Sequence, residues 1–134
     1  MAGMAVHFSS ATEEWGTPAD VYATLDAEFD FTFDPCPLSG TVDGTSTLFS
    51  PWGGHRVFCN PPYGPGIRKF LERAVEADLA VFLIPARTDT RWFHEIVLPF
   101  AKEIRFIKGR LKFGGAKFNA PFPSMVVVFR KDAD

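Results

Sequence analysis

The run Leu79-Ala80-Val81-Phe82-Leu83-Ile84 constrains the fold more than any other stretch of this 134-residue chain. Unbroken apolar sequence of this length leaves no polar face for water, so a strand made from it must be covered on both sides. The flanking segments supply the cover. Before the run, Ile67, Phe70, Leu71, Ala74 and Val75 fall on one helical stripe. After it, Asp89 can cap a helix whose apolar stripe is Trp92, Phe93, Ile96, Val97 and Phe100, with Pro99 near its end. A central strand bracketed by helices predicts parallel strands joined by right-handed crossovers.

The remaining elements follow from their punctuation. Thr17 is a good N-cap, Pro18 fits a first helical position and Asp20 a first turn; with Val21, Leu25 and Phe29 at four-residue spacing, they predict a helix over about residues 18–28. Phe31–Asp34 reads as a short strand ended by Pro35, and Val57–Asn60 as a second. Between them, residues 37–55 are rich in Gly, Ser, Thr and Pro and predict a loop too long to be idle in so small a domain. Gly64-Pro65-Gly66 breaks the chain before the next helix. Ile104–Ile107 and Ser124–Phe129 read as the last two strands, a hairpin that sets one strand antiparallel. The expectation is an α/β fold with a sheet of about five strands, mostly parallel, helices on both faces and a C-terminal β-hairpin.

One compact domain is expected over residues 1–134, with 1–13 a loose leader. A hydrophobic content of 46% is enough to bury a core without metals or disulfides. Cys36 and Cys59 therefore read as reduced thiols at strand ends in a cytoplasmic protein. No apolar stretch reaches transmembrane length, so no membrane partner is expected. No group of Cys, His and carboxylates has ligand spacing, so no metal is expected either.

Charge is unevenly spread. Residues 1–101 hold 6 Lys/Arg against 13 Asp/Glu, whereas residues 102–131 hold 8 Lys/Arg against Glu103 alone. A basic element on an acidic body would attract a polyanion from one side and repel it from the other. Lysines on the solvated faces of edge strands would produce the same excess.

Chemistry concentrates in Asn60-Pro61-Pro62-Tyr63, directly after the apolar Val57-Phe58-Cys59. The lone pair of a nucleobase amine is delocalised into its ring. Methyl transfer onto it needs acceptors that draw on both hydrogens and bend the nitrogen toward a tetrahedral shape. The Asn60 side-chain oxygen and the Pro61 carbonyl can be those acceptors; the prolines hold φ near −65° and add no N–H of their own. Tyr63 offers a ring face on which a flat base can stack. Asn-Pro and Pro-Pro are also ordinary turn dipeptides. Their place at the carboxyl end of a buried strand is what favours chemistry, because open α/β sheets bind ligands at that edge.

Five segments now carry a resemblance: Trp15-Gly16-Thr17-Pro18, Phe33-Asp34-Pro35-Cys36, Phe58-Cys59-Asn60-Pro61-Pro62-Tyr63-Gly64, Ala86-Arg87-Thr88-Asp89-Thr90-Arg91-Trp92-Phe93-His94, and Gly109-Arg110-Leu111-Lys112-Phe113 followed by Ala120-Pro121-Phe122-Pro123-Ser124. Together the chain resembles the short phage-type DNA adenine-N6 methyltransferases over nearly all of its length from residue 15. The resemblance implies a reduced Rossmann-like methyltransferase sheet and S-adenosylmethionine as the cofactor. It implies catalytic roles for Asn60, Pro61, Pro62 and Tyr63. It also places Asp34, Pro35 and Cys36 in the loop that cradles the cofactor, and Trp15, Thr17 and Pro18 in an N-terminal element that packs against it. A carboxylate at Asp34 facing the cationic amino-acid part of that cofactor is favourable charge pairing. The family's Gly-x-Gly after Asp-Pro is degenerate here, with Gly40 the nearest glycine. Only about twenty residues separate Pro35 from the strand before Asn60, too few for two further strands. The adenosine half would be closed by residues 38–55, with Asp43 within that loop, or by a second subunit in a homodimer.

For the acceptor, the resemblance implies double-stranded DNA with a base flipped from the duplex. Cations on loops around the site suit phosphate contacts: Arg87 and Arg91 after the central strand, and Arg110, Lys112 and Lys117 in the final excursion. The same tetrapeptide serves enzymes that methylate RNA amines or a protein glutamine, and a trimmed domain that only binds DNA or host proteins is a third reading.

Overall fold

The computed structural model describes residues 16–36, 51–64, 66–112 and 119–131. Trp15, residues 37–50 with Asp43 and most of the segment expected over adenosine, and Lys117 lie outside the described residues. Helix α1 (Ala19–Phe29) starts one residue later than the spacing suggests, with Pro18 at the N-cap position and no side chain capping it. Thr17 is therefore not the cap, and its hydroxyl is used elsewhere. Asp30 ends α1 in the left-handed region (φ 56°), and the Asp26 carboxylate accepts the Phe31 N–H at 2.9 Å, so the chain reverses in a single residue.

Strand β1 (Arg56–Cys59) leads through the Asn60–Tyr63 turn to α2 (Ile67–Arg73), which tightens into a 3-10 turn over Ala74–Glu76. That tightening rotates Val75 off the apolar stripe, so it is exposed while Ile67, Phe70, Leu71 and Ala74 are buried as their spacing predicts. Strand β2 (Leu79–Pro85) is buried at every residue. The following helix has a π-helical stretch, Phe93–Val97, that continues as α3 (Leu98–Phe100). The wider π turn shifts the stripe: Phe93, Ile96 and Val97 are buried, but Phe100 faces outward. Strands β3 (Glu103–Phe106) and β4 (Ser124–Arg130) complete the chain.

Among the described residues the sheet has four strands in the order β1-β2-β4-β3. β1 and β2 pair parallel; β4 pairs antiparallel with both β2 and β3. This corrects the expected five mostly parallel strands. Phe31–Asp34 forms a single parallel bridge to β1, Phe33 to Val57, with the Thr32 N–H also donating to the Arg56 carbonyl at 2.8 Å. The pairing stops because Pro35 has no N–H to donate and the Asp34 carboxylate draws the Cys36 N–H, at 2.8 Å, into a local turn. The hairpin expectation holds, and β4 is the opposed strand; because it lies between β2 and β3, β3 runs in the same direction as β1 and β2.

Ring contacts show what covers each face. On one, α1 packs through Tyr22 edge-on to Phe58 at 5.1 Å, and Phe29 lies under the Arg105 and Arg130 guanidiniums. On the other, Phe82 touches Trp52 and Phe129, and Arg73 of α2 lies over Trp52. The helix after β2 packs beside α2, linked by Arg68–Glu95 at 2.8 Å. Phe82 is fully buried at the centre of this second face. Phe82→Ala is expected to destabilise the protein by about 3–5 kcal/mol, read from the urea midpoint, because the fixed Trp52 and Phe129 rings cannot close the cavity. A loss below about 1 kcal/mol would contradict this packing.

Candidate active site

Asn60 follows the last residue of β1, where the β1–β2 ladder ends at Cys59–Phe82. One register step further, the Leu83 carbonyl would need a partner from β1, but Asn60-Pro61 has turned away. Tyr63 supplies it: its hydroxyl donates to the Leu83 carbonyl at 3.1 Å. The ring is buried, edge-on to Phe122 at 5.4 Å. Burial pushes the phenol pKa well up, and nearby Cys59 adds to the rise, so Tyr63 stays a neutral donor. Gly64, at φ 119°, then takes a backbone conformation closed to other residues and directs the chain into α2. The Asn60-Pro61-Pro62 segment is thus pinned by β1 at one end and by Tyr63 at the other.

Asn60 is held from a third direction. Its Nδ2 donates to Thr17 Oγ1 at 2.9 Å, and its Oδ1 is buried. Pro61 is buried and Pro62 half-buried. The Phe33–Val57 bridge carries Asp34, Pro35 and Cys36 to the same edge, beside Cys59. Neither thiol is in a disulfide. Cys59 is fully buried, and its pKa is pushed well up by that burial, then by the Cys36 thiol and the Asp34 charge, so it is no nucleophile. Asp34 is raised to about 6 by burial, offset in part by the Cys36 N–H it accepts. A half-buried carboxylate whose charge is this poorly stabilised fits a cationic group brought to it.

The expected cations divide by strand direction. Arg87 is exposed with its guanidinium 5.9 Å from the Phe122 ring centre, and Arg91 is exposed and pairs with Glu95 at 3.5 Å. Lys108, Arg110 and Lys112 follow β3 and are exposed at the same carboxyl edge. Arg130 and Lys131, however, end the antiparallel β4, opposite Leu79 at the far end of β2. The basic C-terminal element is therefore not one surface. His94 serves the loop after β2, its Nε2 donating to the Thr88 carbonyl at 2.8 Å. Phe122 was not singled out as a site residue; an aromatic in a Pro-rich segment gives no signal until β4 is known to begin two residues later beside β2.

Among the described residues no group of His, Cys, Asp and Glu could hold a metal ion, and no helix is long and apolar enough to cross a membrane. The protein is thus α/β, with an amide, two prolines and a tyrosine at the carboxyl edge of a mixed sheet and a carboxylate alongside. The family model described as DNA N-6-adenine-methyltransferase (Dam) matches residues 7–132, so the chain belongs to that family. No curated protein and no solved structure matches it.

The raised Asp34 pKa fixes a sign. Folding favours the protonated carboxyl, so the stability it contributes is complete below its ordinary value of 3.8 and lost as pH rises through about 6. Asp34→Asn keeps the acceptor for Cys36 and removes the charge. Its melting temperature is expected to match wild type near pH 4 and exceed it near pH 7; a difference that does not change with pH would contradict this assignment.

Proposed function

We propose that this chain transfers the methyl group of S-adenosylmethionine to N6 of an adenine flipped out of duplex DNA. The observation that carries the proposal is the rigid Asn60-Pro61-Pro62 segment beside a carboxylate with no cation paired to it among the described residues, in a chain of the adenine-methyltransferase family. Asn60 Oδ1 and the Pro61 carbonyl accept hydrogen bonds from the two N6 hydrogens, drawing the nitrogen lone pair out of the ring. Tyr63 and Phe122 form the aromatic wall of the base site. Asp34 pairs with the cationic amino group of the cofactor, Pro35 and Cys36 shape the loop around it, and Trp15 and Pro18 pack against it. When bound, the cofactor supplies a methyl group activated by its positively charged sulfur. Holding N6 in line with that methyl is the main service of the site. After transfer the nitrogen is acidic and loses its proton to solvent, which removes the need for a strong base.

Arg87, Arg91, Arg110, Lys112 and Lys117 would contact phosphates around the base site, while the acidic body discourages other orientations. Sequence choice then falls to residues 38–55 and 109–123, which suits a short target site. The basic carboxyl edge favours a nucleic acid over a protein glutamine.

The test uses methyl-deuterated S-adenosylmethionine and unmethylated duplex DNA, digested to nucleosides and read by mass spectrometry. Labelled N6-methyldeoxyadenosine is expected from the wild type and a loss of about a hundredfold or more from Asn60→Ala, the scale seen when one pre-placed polar contact is removed from a transition state. Unlabelled nucleosides from a wild type that binds the cofactor would refute the acceptor, and equal label from both proteins would refute the role of Asn60.

A further inference from the structure

We infer that Thr17 is a positioning residue for Asn60, its hydroxyl holding the amide nitrogen so that the amide oxygen is the end presented to the substrate amine. The catalytic consequence rests on the proposed role of Asn60; the structural part rests on the 2.9 Å hydrogen bond from Asn60 Nδ2 to Thr17 Oγ1.

A side-chain amide has two ends of nearly the same shape and opposite function. Turned by half a revolution about its last bond, Asn60 would present an NH2 group to the amine, donor against donor, and catalysis would fail without any change in packing. Nothing in Asn-Pro-Pro-Tyr itself prevents that turn. The Thr17 hydroxyl can accept from Nδ2 or donate to Oδ1; accepting from Nδ2 at 2.9 Å, it holds the orientation whose opposite end is Oδ1, the end that a donor amine requires.

Thr17 is fixed well enough for this task. Its branched side chain restricts its rotamer. Pro18 follows with φ −58°, and its carbonyl accepts from the Tyr22 N–H at 3.0 Å to open α1. α1 is bound to the sheet by buried Leu25 and Phe29 and by Tyr22 against Phe58, two residues before Asn60. The Thr17–Asn60 bond therefore closes a short rigid circuit: Thr17 to Tyr22, Tyr22 to Phe58, Phe58 to Asn60. A threonine at a helix start normally caps the helix, but here no side chain caps α1. The hydroxyl has been diverted from a local role to one 43 residues away.

Thr17→Val keeps the shape and deletes the hydroxyl, and Thr17→Ser keeps the hydroxyl. Three measurements on the full chain decide the matter: kcat and KM for S-adenosylmethionine and for DNA, the melting temperature, and the side-chain amide 1H–15N signals of Asn60, assigned by their absence from Asn60→Asp. Thr17→Val is expected to fold and to lower kcat about tenfold, the worth of one internal hydrogen bond, with both KM values within about twofold. Thr17→Ser should keep kcat within about threefold, and the Asn60 amide signals should move in Thr17→Val but not in Thr17→Ser. Wild-type kcat in Thr17→Val, a loss that falls on the KM for S-adenosylmethionine, or amide signals that stay in place would each overturn the inference. If the wild type itself does not methylate DNA, Thr17-dependent amide signals would uphold the positioning contact while the adenine reading fell.

Discussion

Every interaction at the carboxyl edge depends on a mismatch in length between two neighbouring strands. β2 continues to Pro85, buried throughout, while its parallel neighbour β1 ends at Cys59. A buried carbonyl past the end of a ladder is costly unless something answers it, and at Leu83 the Tyr63 hydroxyl does. That contact turns Asn60-Pro61-Pro62 from a connection into a bracket. The prolines fix backbone angles and bring no N–H groups of their own into the bracket.

The electrostatics of the bracket are set by burial more than by counter-charges. Asp34 is raised because water is excluded from it, whereas Arg105, on the other edge strand of the sheet, is locked between Glu28 and Glu103. Among the described residues no cation is paired with Asp34, and Cys59 and Tyr63, both held neutral, add no charge beside it. Arg87, Arg91, Arg110 and Lys112 are exposed on the segments that follow β2 and β3.

Much of this was legible in the sequence because it depends on local rules. The Leu79–Ile84 run located the doubly covered strand, and Asn-Pro-Pro-Tyr after Cys59 located the turn at the carboxyl end of β1. What was not legible depends on tertiary context. Sheet number failed at Phe31–Asp34 because whether a strand of that length pairs fully is settled by Pro35 and by the Asp34 turn. Val75 and Phe100 left their stripes where the helices departed from the regular period the stripe assumes. Thr17 read as a cap, since a sequence cannot show that its hydroxyl meets an amide 43 residues away. The basic run from Lys102 to Lys131 looked like one surface until β4 proved antiparallel and carried Arg130 and Lys131 to the far edge.

The most direct test of the central claim is a crystal structure of the chain with S-adenosylhomocysteine and a short duplex holding its target adenine. The account predicts an extrahelical adenine whose N6 lies about 3 Å from both Asn60 Oδ1 and the Pro61 carbonyl, hydrogen-bonding distance for an amine, with the cofactor amino group against Asp34. An adenine still stacked in the duplex, or bound away from the β1 carboxyl edge, would contradict it.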